Sequence, residues 1–175
     1  MREVEVKARV GFFQLDSVFS YMNRKFGKSE TMTKIDSYYH KQDTGEEFRV
    51  RRIGDKYYYN EKSRTVEDGI ENNIEIEREI TCEEAKQYER DESLFGIKTK
   101  REYVWTAEYK GNEVHIELAD VINLGIFLEI EMLLDEKATP AEIGAAKKYV
   151  MGFYEKLGLT ERIEKRKYLD LLFGC

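Results

Sequence analysis

Charged and apolar residues alternate along much of this chain. Near the start, Glu3, Glu5, Lys7 and Arg9 fall on one phase, and Val4, Val6, Ala8 and Val10 on the other. Successive side chains of a strand point to opposite faces, so such a strand has one charged and one apolar face. The pattern predicts strands over residues 2–10, 34–41, 46–53, 56–63, 73–80, 101–110, 112–119 and 126–134. Gln42-Asp43-Thr44-Gly45, Gly54-Asp55 and Lys110-Gly111-Asn112 read as hairpin turns, which makes the neighbours mostly antiparallel. Helical spacing appears over residues 14–26, where Leu15, Val18, Phe19, Met22 and Phe26 form a core-facing stripe. Thr81, with Glu84 three residues on, reads as the N-cap of a helix reaching about residue 92. Thr139-Pro140, with Glu142, opens another that runs to about Leu157 and ends at Gly158. A last helix is expected over about 160–172.

Placing every strand on one phase separates a polar set from an apolar one. The polar set is Glu3, Glu5, Lys7 and Arg9; Lys34, Asp36, Tyr38 and His40; Arg49 and Arg51; Tyr58, Asn60 and Lys62; Glu75, Glu77 and Glu79; Lys98, Lys100 and Glu102; Glu113, His115 and Glu117; and Glu129 and Glu131. Its apolar mates include Phe48, Val50, Ile74, Ile76, Trp105, Ile116, Leu128 and Ile130. One charged strand face is usually just solvated. Both signs mixed on strand after strand point instead to a polar interior. The expected fold is α+β: an eight-stranded antiparallel closed β-barrel with helices packed outside. Eight strands leave room for one small ligand. Charges buried there must be paired or coordinated. Arg and Lys grip phosphate oxygens, and carboxylates hold the Mg²⁺ or Mn²⁺ that bridges them.

Composition narrows the ligand. The 175 residues are read as a single domain spanning 1–175, 41% hydrophobic and 37% charged. A net charge of −6 argues against a nucleic-acid-binding surface, although a basic lining can still hold an anion. Two cysteines, Cys82 and Cys175, make no disulfide framework and fit a reducing cytoplasm. With no long apolar run and no leader pattern, a membrane partner is not expected. His40 and His115 lack metal-ligand spacing, and no Ser-His-Asp set or Gly-rich phosphate loop is visible.

Several segments, taken in order, resemble a known family. Glu3-Val4-Glu5-Val6-Lys7 looks like an ExExK signature, Asp36-Ser37-Tyr38 like a D-x-Y strand, and Phe48-Arg49-Val50-Arg51 like an L-R-I-R strand. Tyr59-Asn60-Glu61-Lys62 is similar to a T-x-K strand, and Glu75-Ile76-Glu77 to an E-x-E segment. Residues 118–131 resemble LDxVxxLGxFxEIE, and residues 168–172 resemble an SYxxLL ending. The family is the CYTH domain, or triphosphate tunnel superfamily, and within it the class IV adenylyl cyclase-like branch. The resemblance implies a tunnel that takes a small-molecule triphosphate with Mg²⁺ or Mn²⁺. By that resemblance Lys7, Arg49, Arg51, Lys62, Lys98 and Lys100 would bind the phosphates. Glu3, Glu5, Glu129 and Glu131 would hold metal, with Lys7, Glu129 and Glu131 carrying the chemistry. Two positions depart from the pattern. Ala119 stands where the family has Asp, with Glu117 two residues earlier on the same face as a substitute ligand. Lys100 stands where the family's K-x-R strand has Arg, which loses a bidentate phosphate fork.

Two reactions fit such a site. In a cyclase the ribose 3′-hydroxyl attacks the α-phosphorus of ATP; in a triphosphatase water attacks the terminal phosphorus. Both depend on positioning and charge neutralisation. The cyclase-like reaction is the first expectation, because residues 118–131 and 168–172 resemble that branch. Hydrolysis of inorganic, thiamine or nucleoside triphosphate is the alternative, and a non-catalytic nucleotide or polyphosphate binder is the third reading. A homodimer is left open.

Overall fold

The structure, a computed structural model, describes residues 2–67 and 70–174, except for the side chains of residues 62–67, 70–73 and 75. The predicted lining residues Lys62 and Glu75 therefore lie outside the described residues. The strands are β1 (Arg2–Arg9), β2 (Glu30–His40), β3 (Glu47–Ile53), β4 (Lys56–Glu67), β5 (Ile70–Ile80), β6 (Ser93–Tyr109), β7 (Asn112–Val121) and β8 (Gly125–Leu134). The helices are α1 (Leu15–Phe26), α2 (Cys82–Asp91), α3 (Pro140–Leu157) and α4 (Tyr168–Phe173). All strand pairings are antiparallel, in the order β5-β4-β3-β2-β6-β7-β8-β1. The sheet curls until β1, paired with β8 along its whole length, also meets β5 from Arg2 opposite Ile74 to Glu5 opposite Glu71.

Of the strands that start earlier than their alternation predicts, β2 and β6 differ most. β2 begins at Glu30 and β6 at Ser93. Glu30–Thr33 and the first four residues of the added Ser93–Lys100 do not alternate clearly. The ladder joining β2 to β6 extends both strands, with a register shift between Tyr38 and Tyr39. The predicted last helix is corrected. Residues 160–162 make a 3-10 turn, Ile163 bridges to Ala8, and only Tyr168–Phe173 is α-helical. The β5 ladder stops at Glu5, which leaves the next stretch of β1 with an open edge. The Glu164 N–H takes the Lys7 carbonyl there at 2.8 Å. An unpaired buried carbonyl is costly, so this pairing outcompetes a helix with no apolar stripe.

The helix caps follow the sequence. Both Thr81–Glu84 and Thr139–Glu142 form reciprocal capping boxes, and Gly158 ends α3 at φ 65°. α1 and α3 cover the outer faces of β1, β6, β7 and β8. There Val4, Val6, Ile116, Ile130 and Met132 pack with Val18, Met22, Val150 and Phe153. The buried Tyr154 hydroxyl of α3 lies 2.5 Å from the Val6 carbonyl and 3.2 Å from that of Leu128. α2 covers a second cluster of Tyr39, Phe48 and Val50. The cover is incomplete: Ile74 and Ile76 on β5 are 50% and 61% exposed. No helix among the described residues is long and apolar enough to cross a membrane.

Candidate functional site

The charged phase of the strands faces the inside of the curl. A cavity of about 180 Å³ opens there; a single water needs only about 15 Å³. Lys7, Arg49, Arg51, Lys98 and Lys100 line it together with Glu5, Glu117, Glu129 and Glu131. Tyr38 and Asn60 add polar groups, and Lys167, Tyr168 and Leu169 close in from the C-terminal segment. Of the predicted site residues with described side chains, only Glu3 lies outside this lining, and it sits beside Glu5.

Register explains the basic side. Asp36 on β2 stands directly opposite Arg51 on β3 and Lys98 on β6. Its carboxylate accepts from Arg51 Nε at 2.7 Å and Nη2 at 3.0 Å. Lys98 Nζ lies 2.9 Å away and Arg49 Nη1 3.6 Å away. Burial would push this carboxyl up. The charges of Arg51, Lys98 and Arg49 outweigh it and hold the group well below the usual carboxylate range. One fully buried anion thus fixes three cations at the cavity wall.

A second network joins like charges that the ladders place side by side. Lys34 stands opposite Lys100, and Glu117 opposite Glu129. Such pairs repel, and each group instead bonds an opposite charge on a nearby strand. Lys100 Nζ bonds Glu117 Oε2, and lies 2.8 Å from Glu129 Oε1 and 3.4 Å from Glu102 Oε2. Lys34 bonds Glu117 Oε1 and sits 2.7 Å from Glu102 Oε1. Burial would lower the pKa of Lys100, but Glu117, Glu129 and Glu102 keep it well above the ordinary lysine value. Burial would likewise raise Glu117, yet Lys100 and Lys34 hold it well below. Glu102 goes the other way: burial and the charge of Glu117 push it up against the pull of the lysines.

The third group is acidic. Glu5 stands opposite Glu131 across the β1–β8 ladder, and Glu3 lies two residues away on the same face. Carboxylate oxygens of Glu3, Glu5 and Glu131 come within 4.8 Å of one another, with Glu3 and Glu5 buried. Clustered hard oxygen donors of this kind suit Mg²⁺ or Mn²⁺.

Comparison with known proteins accords with this geometry. A family model described as the CYTH domain matches residues 1–162. The chain belongs to the CYTH family. The solved structure of the PH1819 protein from Pyrococcus horikoshii OT3 is 25% identical, with a TM-score of 0.78, covering 98% of each chain. The PH1012 protein of the same organism is 26% identical at a TM-score of 0.74, covering 97% of this chain and 98% of its own. HpAC1 from Hippeastrum, a candidate adenylyl cyclase with a dominant triphosphatase activity, shares the fold at 16% identity and a TM-score of 0.68, covering 98% and 96%. No curated protein matches the sequence.

Within the CYTH frame, the position that departs from the family Asp becomes intelligible. Ala119 is fully buried against Val121, Phe127 and Tyr168. The Tyr168 ring meets Phe127 edge-on at 5.0 Å, and lies 4.7 Å from Lys7 Nζ and 4.8 Å from Lys98 Nζ. Its hydroxyl donates to Glu129 Oε1 at 2.7 Å. Burial and the adjacent Glu129 push this phenol well above its ordinary pKa, so it stays a donor. Sequence reasoning placed Tyr168 only in an ending motif and assigned no role to Asp36, Lys34 or Glu102. The signal for the last three was their place on the polar phase.

Other predicted lining residues lie outside the cavity. Arg9 pairs with Glu164 at 3.3 Å. Glu77 and Glu79 are exposed, Glu113 bonds His115 at an exposed edge, and His40 stacks on Phe95. Those strands extend past the cavity, so sharing its phase does not bring their ends into it.

Proposed function

We propose that this protein binds a triphosphate together with a divalent metal ion inside its curled sheet, and hydrolyses it. The observation that carries this reading is the convergence of five buried or half-buried cations on a cavity that Glu5 and Glu131 also line, with Glu3 beside them. The short β1–β5 seam is read as closing the curl into a tunnel. Lys7, Arg49, Arg51 and Lys98 bind phosphate oxygens, joined by Lys62 on the family pattern. The Arg51 fork, aimed by Asp36, is the most directional donor. Glu3, Glu5 and Glu131 would hold Mg²⁺ or Mn²⁺, and the ion would supply charge neutralisation for the phosphates. The protein's own share of the catalysis is to align the chain of phosphates and to keep the site dry. The setting is a single domain in the cytoplasm.

Hydrolysis is favoured over cyclisation by the C-terminal segment. Tyr168 and Leu169 line the cavity beside the phosphate-binding cations. We read them as narrowing the room left for a nucleoside attached to the triphosphate. The second reading, a class IV adenylyl cyclase-like reaction, is favoured by the resemblance of residues 118–131 and 168–172 to that branch.

Phosphorus NMR separates the two readings. The protein is incubated with tripolyphosphate, thiamine triphosphate and ATP, each with Mg²⁺ and with Mn²⁺. Orthophosphate released from tripolyphosphate is the expected product. Cyclic AMP and pyrophosphate from ATP would make the cyclase reading correct, and no turnover of any substrate would leave a binder. Glu131→Gln keeps the shape but removes a charge from the metal-holding group, and should lower turnover on the order of a hundredfold.

A further inference from the structure

Glu102, Glu117 and Glu129 already surround an ammonium. Lys100 Nζ is within 3.4 Å of all three carboxylates, and the residue is 3% exposed. Lys34 Nζ supports it from the other side, on Glu117 and Glu102. Glu117 and Glu129 are also two of the carboxylates that the family resemblance would give to metal. A divalent ion bonded to both would have to sit where the Lys100 ammonium sits. Evicting a buried ammonium leaves it either unpaired, which is costly, or swung toward other cations.

On the triphosphate–metal reading, we infer that the Lys100 ammonium serves as a built-in monovalent cation in place of a second metal ion. The protein then holds one divalent ion, at Glu3, Glu5 and Glu131. The Lys at the position where the family's K-x-R strand has Arg suits this role. An ammonium is a compact point charge with three donors, enough for three carboxylates converging on one point. A planar guanidinium cannot converge its donors in the same way.

The test is a count of bound Mn²⁺ by the free-ion electron paramagnetic resonance signal, with protein alone. One Mn²⁺ per chain is expected for the wild type. Lys100→Met removes the charge at similar volume, and should add a second Mn²⁺ with at least a tenfold gain in affinity at that position. Glu117→Gln should leave the wild-type count and affinity within a factor of about two. Two Mn²⁺ in the wild type, a second ion that fails to appear in a folded Lys100→Met, or a tenfold loss of Mn²⁺ affinity in Glu117→Gln would each overturn the inference. Should Lys100→Met not fold, the Glu117→Gln result decides alone. A wild type that binds no Mn²⁺ would overturn the metal reading itself and this inference with it, whereas two bound ions overturn only the inference.

Discussion

Asp36 shows how much of the site a single side chain organises. It is fully buried and holds Arg51, Lys98 and Arg49 in reach of the cavity. Removing one member of a buried ion cluster strands the others without a partner. Asp36→Asn should therefore destabilise the fold by about 3–5 kcal/mol, read as a fall in melting temperature of roughly 10 °C. The pH dependence has a definite sign. The Asp36 and Glu117 carboxyls lie below their ordinary values of 3.8 and 4.5 in the folded state. Their stabilisation is present above those values and is lost as pH falls through the depressed ones. Glu102 is shifted upward, so its contribution is present below 4.5 and fades as pH rises through its raised value. Thermal melts from pH 6 to pH 2 should show stability falling below about pH 4 in the wild type. The fall should be shallower in Asp36→Asn.

Among the elements, α3 depends on one polar contact within an apolar interface. The Tyr154 hydroxyl reaches the backbone carbonyls of Val6 on β1 and Leu128 on β8, the two strands that carry Lys7 and Glu129. Tyr154→Phe keeps the packing but leaves buried acceptors short of a donor, at about 1–3 kcal/mol. Urea unfolding should show the midpoint shift with an unchanged slope. The predicted strands and capped helices were legible in the chain because alternation and N-cap chemistry are local. The starts of β2 and β6 were not, because a ladder between segments about sixty residues apart extends them. The supposed last helix broke for a similar reason: an open carbonyl on β1 recruited residues 163–164 into extended pairing.

At the scale of the whole molecule, side chains of both charges line one cavity inside the curled sheet. On the proposed reading, tripolyphosphate with Mg²⁺ should raise the melting temperature, by an amount that grows with ligand concentration. At a hundred times the dissociation constant the gain is about 2.7 kcal/mol. Orthophosphate, with fewer oxygens to share among Lys7, Arg49, Arg51 and Lys98, should do much less. Arg51→Ala should lose most of the shift, and an undiminished shift in that variant would remove Arg51 from the binding set.

By itself, the sequence determined the phase of the strands that line the cavity, and hence which of their side chains could face inward, because a period of two needs no knowledge of neighbours. It also pointed to the family, through motifs that are local in the chain. Only the tertiary structure decided which inward charges meet. Strand register set Asp36 against Arg51 and Lys98. The β1–β8 register set Glu5 against Glu131, with Glu3 beside them. Docking of α4 placed Tyr168 over Ala119, where the family pattern has an acid. Each of these depends on pairing energies summed over distant segments, which no local pattern records.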